Sequence, residues 1–274
     1  MARMACAPRR PDVQETPSHA PPESPGRLAE ACVALHASGQ YRACIGRARA
    51  VLAQRAPARC HAEAFAISCA AGAASLAELG DPRGALDMIA DEQEHAAGDA
   101  PALLVLATAV GDVLVTAGRA ADALRPLEQT VDDVRQRGEA RALVRALRHL
   151  GRALLDAGRP EDAVRALEES IALEATAEPE APRALGHLTL ARAFLRTGDL
   201  TRAEAALDTA LDLAARFEER GLQARARLAA AHLARERGAR KDAEASLDEA
   251  QDLADELAMM PLMERCRAFA RTLR

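Results

Sequence analysis

The chain has 274 residues and a formal net charge of −5, from 36 basic and 41 acidic residues. Aromatic residues make up 2% of it, with no tryptophan and one tyrosine, so a core built on large rings is excluded and close packing through Ala, Gly and Leu must replace it. The mild, interspersed charge argues against nonspecific nucleic-acid binding as the main role, and no uncharged apolar run approaches the ~18 residues of a membrane span.

Residues 1–24 carry Pro8, Pro11, Pro17, Pro21 and Pro22 among Ser, Glu and Gln. Such a segment buries too little apolar surface to offset its ordering entropy, and it reads as a disordered tail. Arg9-Arg10 is followed by Pro11-Asp12 rather than an apolar stretch, so no secretory signal is read there and a cytoplasmic protein is expected. Residues 25–274 read as one elongated unit of helix, short turn, helix. Six glycines, Gly39, Gly80, Gly118, Gly158, Gly198 and Gly238, recur at spacings of 41, 38, 40, 40 and 40. A fixed period near 40 marks a solenoid of repeated helical hairpins. Each glycine stands where a first helix must stop, since Gly accepts the left-handed conformation that closes a helix. Pro82 and Pro160 suit the first turn of the following helix. Gly98-Asp99-Ala100-Pro101, Arg137-Gly138, Glu178 to Pro182, and Glu219-Arg220-Gly221 mark the hand-over between units.

Offsets from each glycine carry the packing. Seven residues before it stands a small side chain: Cys32, Ala73, Gly111, Gly151, Ala191 and Ala231. Five after it stands another: Cys44, Ala85, Ala123, Ala163, Ala203 and Ala243. Large apolar residues dominate four before and nine after, such as Leu154 and Leu167. The small positions let paired helices approach, and the large ones fill the layer between units. A single hairpin cannot bury such a face, so stacking is obligatory. A final helix over Pro261 to Leu273 is expected to cap the stack, with Leu262, Cys266, Phe269 and Leu273 inward and Glu264, Arg265, Arg267 and Arg271 outward. The first two units are the least faithful copies, so irregularity is expected at the N-terminal end. Of the six cysteines none forms a CxxC pair, and Cys32, Cys44 and Cys69 read as buried free thiols.

The unit Leu150-Gly151-x-x-Leu154-x-x-x-Gly158-Arg159-Pro160-Glu161-Asp162-Ala163-x-x-x-Leu167-x-x-Ser170 resembles a tetratricopeptide (TPR) repeat. The units of Gly118 and Gly198 fit nearly as well, while the second has Glu92 where a small residue belongs. The resemblance covers about residues 25 to 274 and implies an all-α right-handed superhelical solenoid of about six hairpins. The 40-residue period, with Leu253 to Ala258 and Pro261 to Ala268 at the end, is similar to the sensor region of large bacterial transcriptional regulators of the MalT-like, LuxR-type group. Neither a GxxxxGK[ST] loop nor a helix-turn-helix accompanies the repeats, so the likeness reaches a part of such a regulator at most.

No catalytic constellation emerges. Cys60-His61-x-Glu63 lacks the Pro-Cys-x-x-Cys partner of a zinc deaminase, there is no HExxH, and no GxSxG. No catalytic residue, metal or cofactor is therefore expected, and the chain reads as a non-enzymatic scaffold. The informative constellation is basic. Arg141, Arg145, Arg148 and Arg152 are spaced by 4, 3 and 4 and share one helical face. The resembled family lines its concave groove with first-helix positions. Carrying those offsets forward gives a basic half of Arg145, Arg148, Arg152, Arg192, Arg196, Arg225, His232 and Arg235, interrupted by Asp112, Asp156 and Glu236. An apolar half follows from Ile67, Ala70, Ala74, Val105, Thr108 and Val115. Four like charges on one stripe repel, so either neighbouring carboxylates or an acidic partner must offset them. The partner that fits both halves is a protein or peptide segment with an apolar and an acidic part, since Arg forks bind carboxylates. One alternative is a sensor that closes on a small-molecule ligand or signal peptide, and a second is an enzyme of unfamiliar type in an α-solenoid, for which the linear spacing offers no cluster of His, Glu and Cys. Direct nucleic-acid binding is disfavoured because the face lacks aromatics for base stacking. The sequence leaves oligomeric state open.

Overall fold

The computed structural model describes residues 24–54, 61–174 and 184–273. The proline-rich tail through residue 23, Cys6, Cys60 and the break from Glu178 to Pro182 lie outside the described residues. Those described form thirteen α-helices and no strand. The six hairpins are α1 (Pro25–Ala37) with α2 (Tyr41–Leu52), α3 (Ala62–Glu78) with α4 (Pro82–His95), and α5 (Ala100–Thr116) with α6 (Ala120–Arg137). Then come α7 (Ala140–Asp156) with α8 (Pro160–Glu174), α9 (Ala184–Thr197) with α10 (Leu200–Arg216), and α11 (Arg220–Glu236) with α12 (Arg240–Glu256). Helix α13 (Met260–Thr272) covers the end. No helix among the described residues is long and apolar enough to cross a membrane.

All six ladder glycines have positive φ, between 76° and 85°. The residue after each donates its backbone N–H five residues back, as Arg159 does to Leu154 O at 2.9 Å, which satisfies a carbonyl the helix end would leave orphaned. Second helices that stop at Gly138, Glu218 and Ala258 close by the same left-handed residue. Glu218 and Ala258 hold it with a Cβ, at φ 55° and 54°, which L side chains adopt only at a cost. The following helix often starts on a side-chain cap: Asp81 accepts from Gly84 N at 2.9 Å, and Asp199 from Arg202 N at 3.0 Å.

The small residue seven before the glycine meets the large one nine after it. A Cβ on Gly151 would sit 2.6 Å from Leu167 Cγ, and one on Gly111 would sit 2.7 Å from Leu127. Both leucines are fully buried. Each first helix also packs on the first helix of the next unit, and each second helix on the first helix that follows it. The odd-numbered helices thereby form the inner layer and the even-numbered ones the outer. The first hairpin is the shortest, with helices of 13 and 12 residues against 17 in α7, α10, α11 and α12. Cys32, Cys44, Cys69 and Cys266 are free and buried, and burial pushes the Cys44 thiol up to about 11.

The solenoid does not stay open. It curls until its last hairpin and cap pack on its first two hairpins. Tyr41, at the start of α2, is buried in the cluster of Ala224, Leu228, Leu257, Met259 and Leu262 from the other end. Gly221 lies so close to the Tyr41 hydroxyl that a Cβ there would collide with it. Gly80 lies under Met260, where an added Cβ would make a tight 3.2 Å contact with the Met260 Cβ. An ion pair between Arg225 of α11 and Glu78 of α3 joins residues far apart in sequence across this seam, with both side chains largely buried. On α13, Leu262, Cys266 and Phe269 are buried, and Glu264, Arg265, Arg267 and Arg271 are exposed.

Candidate functional site

Closure converts the concave groove into a lumen with three connected chambers. Arg152 and Arg225 line all three. A mixed chamber of about 420 Å³ holds Ile67, Ala70, Ala74, Val105 and Thr108 on one wall and Arg145, Arg148 and Arg152 on another. A C-terminal chamber of about 300 Å³ holds Arg192, Arg196, His232 and Arg235 over Leu155, Leu188, Leu228 and Leu262. A third chamber, about 660 Å³, runs under the cap and includes Val115. Each of the fourteen groove residues expected from the sequence borders one or more of these three chambers. The two halves are not separated along a groove, however. The curl sets the apolar N-terminal wall opposite the basic one.

The basic half is far less bare than its sequence implies. Arg152 is 7% exposed, pairs with Asp112, and donates through Nη2 to Thr116 Oγ1 at 2.8 Å. Burial alone would raise the Asp112 carboxyl, but Arg152 and His149, whose Nδ1 lies 3.3 Å away, hold it well below the usual carboxylate range. Arg192 meets Asp156 at 2.5 Å, Arg148 lies 3.8 Å from Glu174, and Arg235 meets Glu236 at 2.6 Å. Neighbouring helices therefore supply much of the countercharge, as one of the two sequence-level alternatives required. His232 is corrected as a cation: burial, then Arg235, Arg265 and Arg192, pull it down to about 4, so it is neutral near pH 7. Its ring instead packs on Phe269, centroids 4.1 Å apart. Arg145 and Arg196 make no ion pair within 4.0 Å among the described residues.

Several lumen groups escaped the sequence reading. Glu78 stands two before its glycine, as Asp156, Arg196 and Glu236 do, so the same offset would have found it. Arg265 was read as outer polarity of the cap, yet it lines two chambers. Its side chain is exposed, and the charge of Arg192, then burial, lowers it to about 9 against the opposing pull of Asp156. His36 lies at the seam. Ser75 donates its one hydroxyl proton to Ala71 O at 2.9 Å, so the 2.9 Å contact to His36 Nδ1 makes that nitrogen the donor. Burial lowers His36 to about 4, with Asp112 opposing and Arg225 assisting. Glu219 moves the other way, raised by burial to about 7 despite Arg148. The three large apolar side chains exposed among the described residues, Val33 at 43%, Phe217 at 49% and Met260 at 42%, all border the lumen.

Nothing in this set has the composition of a metal centre: no group of three His, Cys, Asp or Glu is placed to hold an ion among the described residues. No protein-family model and no curated protein matches the chain. Solved structures do. A Rap protein complexed with competence and sporulation factor superposes with TM-score 0.62 at 13% identity, over 90% of this chain and 74% of that one. The Rap conjugation gene regulator of plasmid pLS20, in complex with the Phr* peptide, gives 0.58 at 13% identity, over 85% and 70%. BtubC from P. vanneervenii gives 0.54 at 14%, over 86% and 92%. These likenesses are likenesses of fold, and the fold they share with this chain is a TPR-like all-α solenoid.

Proposed function

We propose that this protein is a non-enzymatic TPR-type module that takes an extended protein or peptide segment into its lumen, in a bacterial regulatory or assembly role. The carrying observation is the mixed chamber, where a wall of small apolar side chains faces Arg145 and Arg148 with Val33 and Phe217 exposed at its edge. A segment with apolar residues followed by Asp or Glu satisfies both walls. Apolar burial supplies affinity, and guanidinium forks fix orientation. Two of the structural neighbours were solved in complex with competence and sporulation factor and with the Phr* peptide, which supports a peptide reading in preference to a rigid spacer. The similarity to MalT-like sensor regions belongs to the same reading.

A second reading, a sensor that changes shape on binding, is favoured by the seam. The helix contacts closing the lumen are sparse beside those inside a hairpin, so a ligand that binds the closed form better would shift its population. Both readings are tested by fluorescence anisotropy with short labelled peptides that join an apolar half to an acidic half. Binding is expected to weaken about tenfold in Arg145→Glu and again in Phe217→Ser, and to weaken with salt. If no such peptide binds, or both substitutions leave affinity unchanged, the lumen is not a peptide site.

A further inference from the structure

The C-terminal chamber has a surplus of cations that its own walls do not meet. Six arginines border this chamber, and all but Arg235 also border the one under the cap. Arg152, Arg192, Arg225 and Arg235 each hold a carboxylate: Asp112, Asp156, Glu78 and Glu236. Arg196 and Arg265 make no ion pair within 4.0 Å among the described residues. Both border both chambers and are exposed to the lumen rather than to the outer surface. They come from different elements, α9 and the cap helix α13, and the fold sets both on the same two chambers. Beneath them lies an apolar floor that includes Leu155, Leu188, Leu228 and Leu262. The chamber, about 300 Å³, is at the lower bound of small-molecule sites.

We propose that this chamber binds a small carboxylate with an apolar body, its carboxylate held between Arg196 and Arg265 and its body on the leucine floor. Two planar guanidiniums supply a fork to each carboxylate oxygen, and water-excluding leucine beneath strengthens those charge-assisted bonds. Bringing a carboxylate in also relieves the repulsion among Arg192, Arg265 and their neighbours that depresses Arg265. The other carboxylates near the site are already engaged or peripheral: Asp156 holds Arg192, Glu236 holds Arg235, and Glu264 borders only the space under the cap. A phosphate would gain the same charge but nothing from the floor. The carboxylate is either that of a free organic acid or the C-terminus of a short apolar peptide. The inference shares with the function proposed above only the premise that the lumen is a binding space.

The test is calorimetric titration and thermal melting of the full chain with hexanoate, hexanamide, inorganic phosphate, and an acetylated Ala-Leu-Leu peptide with its terminus free or amidated. The expected result is a raised midpoint with hexanoate, the free-terminus peptide, or both, and binding at least about tenfold weaker for the amide counterparts and for phosphate. Which of the two carboxylates binds identifies the source. Arg196→Gln combined with Arg265→Gln is expected to abolish the shift, while Arg267→Gln, on the outer face of the same helix, leaves it intact. Neutralising Arg265 removes the repulsion from Arg192, so the double variant should melt at or above the parent's midpoint without ligand, and each ligand shift is read against the variant's own midpoint. The proposal is overturned if neither carboxylate binds, if the amides or phosphate bind as well, or if the double variant binds as the parent does. Peptides that bind the mixed chamber irrespective of these two arginines would leave the peptide function standing and remove this site. Hexanoate binding that needs them, with no peptide binding, would do the reverse.

Discussion

The middle of the solenoid and its seam are built by different means. In units three to five the first helices close on the same glycine and pack on the next first helix in the same way, and units three and four share the same small-on-large contact, so a residue's role there follows from its distance to one glycine. At the seam nothing repeats. Tyr41 fills one pocket of the far end, Gly221 admits it, Glu78 meets Arg225, and Met260 covers Gly80, each contact made without a copy elsewhere in the ladder. The middle therefore owes its stability to many equivalent apolar contacts, and the seam to a few specific ones. Regions held in the second way are the ones that open first.

The sharpest way to break this contrast is Arg225→Leu. It strands Glu78 largely buried without its countercharge, which costs about 3–5 kcal/mol, whereas Glu78→Leu together with Arg225→Leu should recover most of that loss. Hydrogen exchange should show the loss in α1, α3 and α11 and spare α7 and α8. In the middle, Leu167→Ala removes a fully buried side chain and should cost about 3 kcal/mol in urea denaturation, with protection lost first in α7 and α8. An equal response of both regions to both changes would erase the distinction.

Acid should act on the seam next. Unfolded His36 takes a proton below about pH 6.5, but folded His36 does so only near 4, so the unfolded chain binds more protons between those values. The stability held by neutral His36 is complete above pH 6.5 and is lost as pH falls toward 4, about 2 kcal/mol of it between pH 7 and pH 5. Glu219 has the opposite sign, because its raised carboxyl holds a proton in the folded state below about pH 7. His36→Gln keeps a donor for Ser75 and should flatten the histidine contribution alone, as read from melting midpoints against pH. The smallest effect is a gain. Glu218→Gly and Ala258→Gly free a left-handed residue of its Cβ and should each add up to about 1 kcal/mol, since the native angle there is one that glycine adopts freely.

The fold was legible because its information is periodic. Gly158, Leu154 and Ala163 recur in equivalents, and six weak signals at one spacing make a strong one. The inward side of each first helix followed from the same offsets, which is why Ile67 and Arg192 both border the lumen. Two things were not legible. Closure depends on a small rotation per hairpin summed over the whole chain, and no residue encodes that sum, so Arg265 was assigned to the outside and Tyr41 drew no notice. The charge state of the basic half depends on partners a full period away, such as Asp112 for Arg152, and a linear reading of one helix shows only the like charges.

Closure also restricts what can happen to this gene. Open repeat arrays gain and lose units readily, because each unit answers only to its neighbours. Here the hairpin that begins the array must meet the hairpin that ends it. Removing one 40-residue copy would withdraw Gly221 from Tyr41 and Arg225 from Glu78 together. The seam acts as a counter: Tyr41 and Glu78 find their partners only when the intervening hairpins sum to the right turn, so a copy added or lost between them would break both contacts at once.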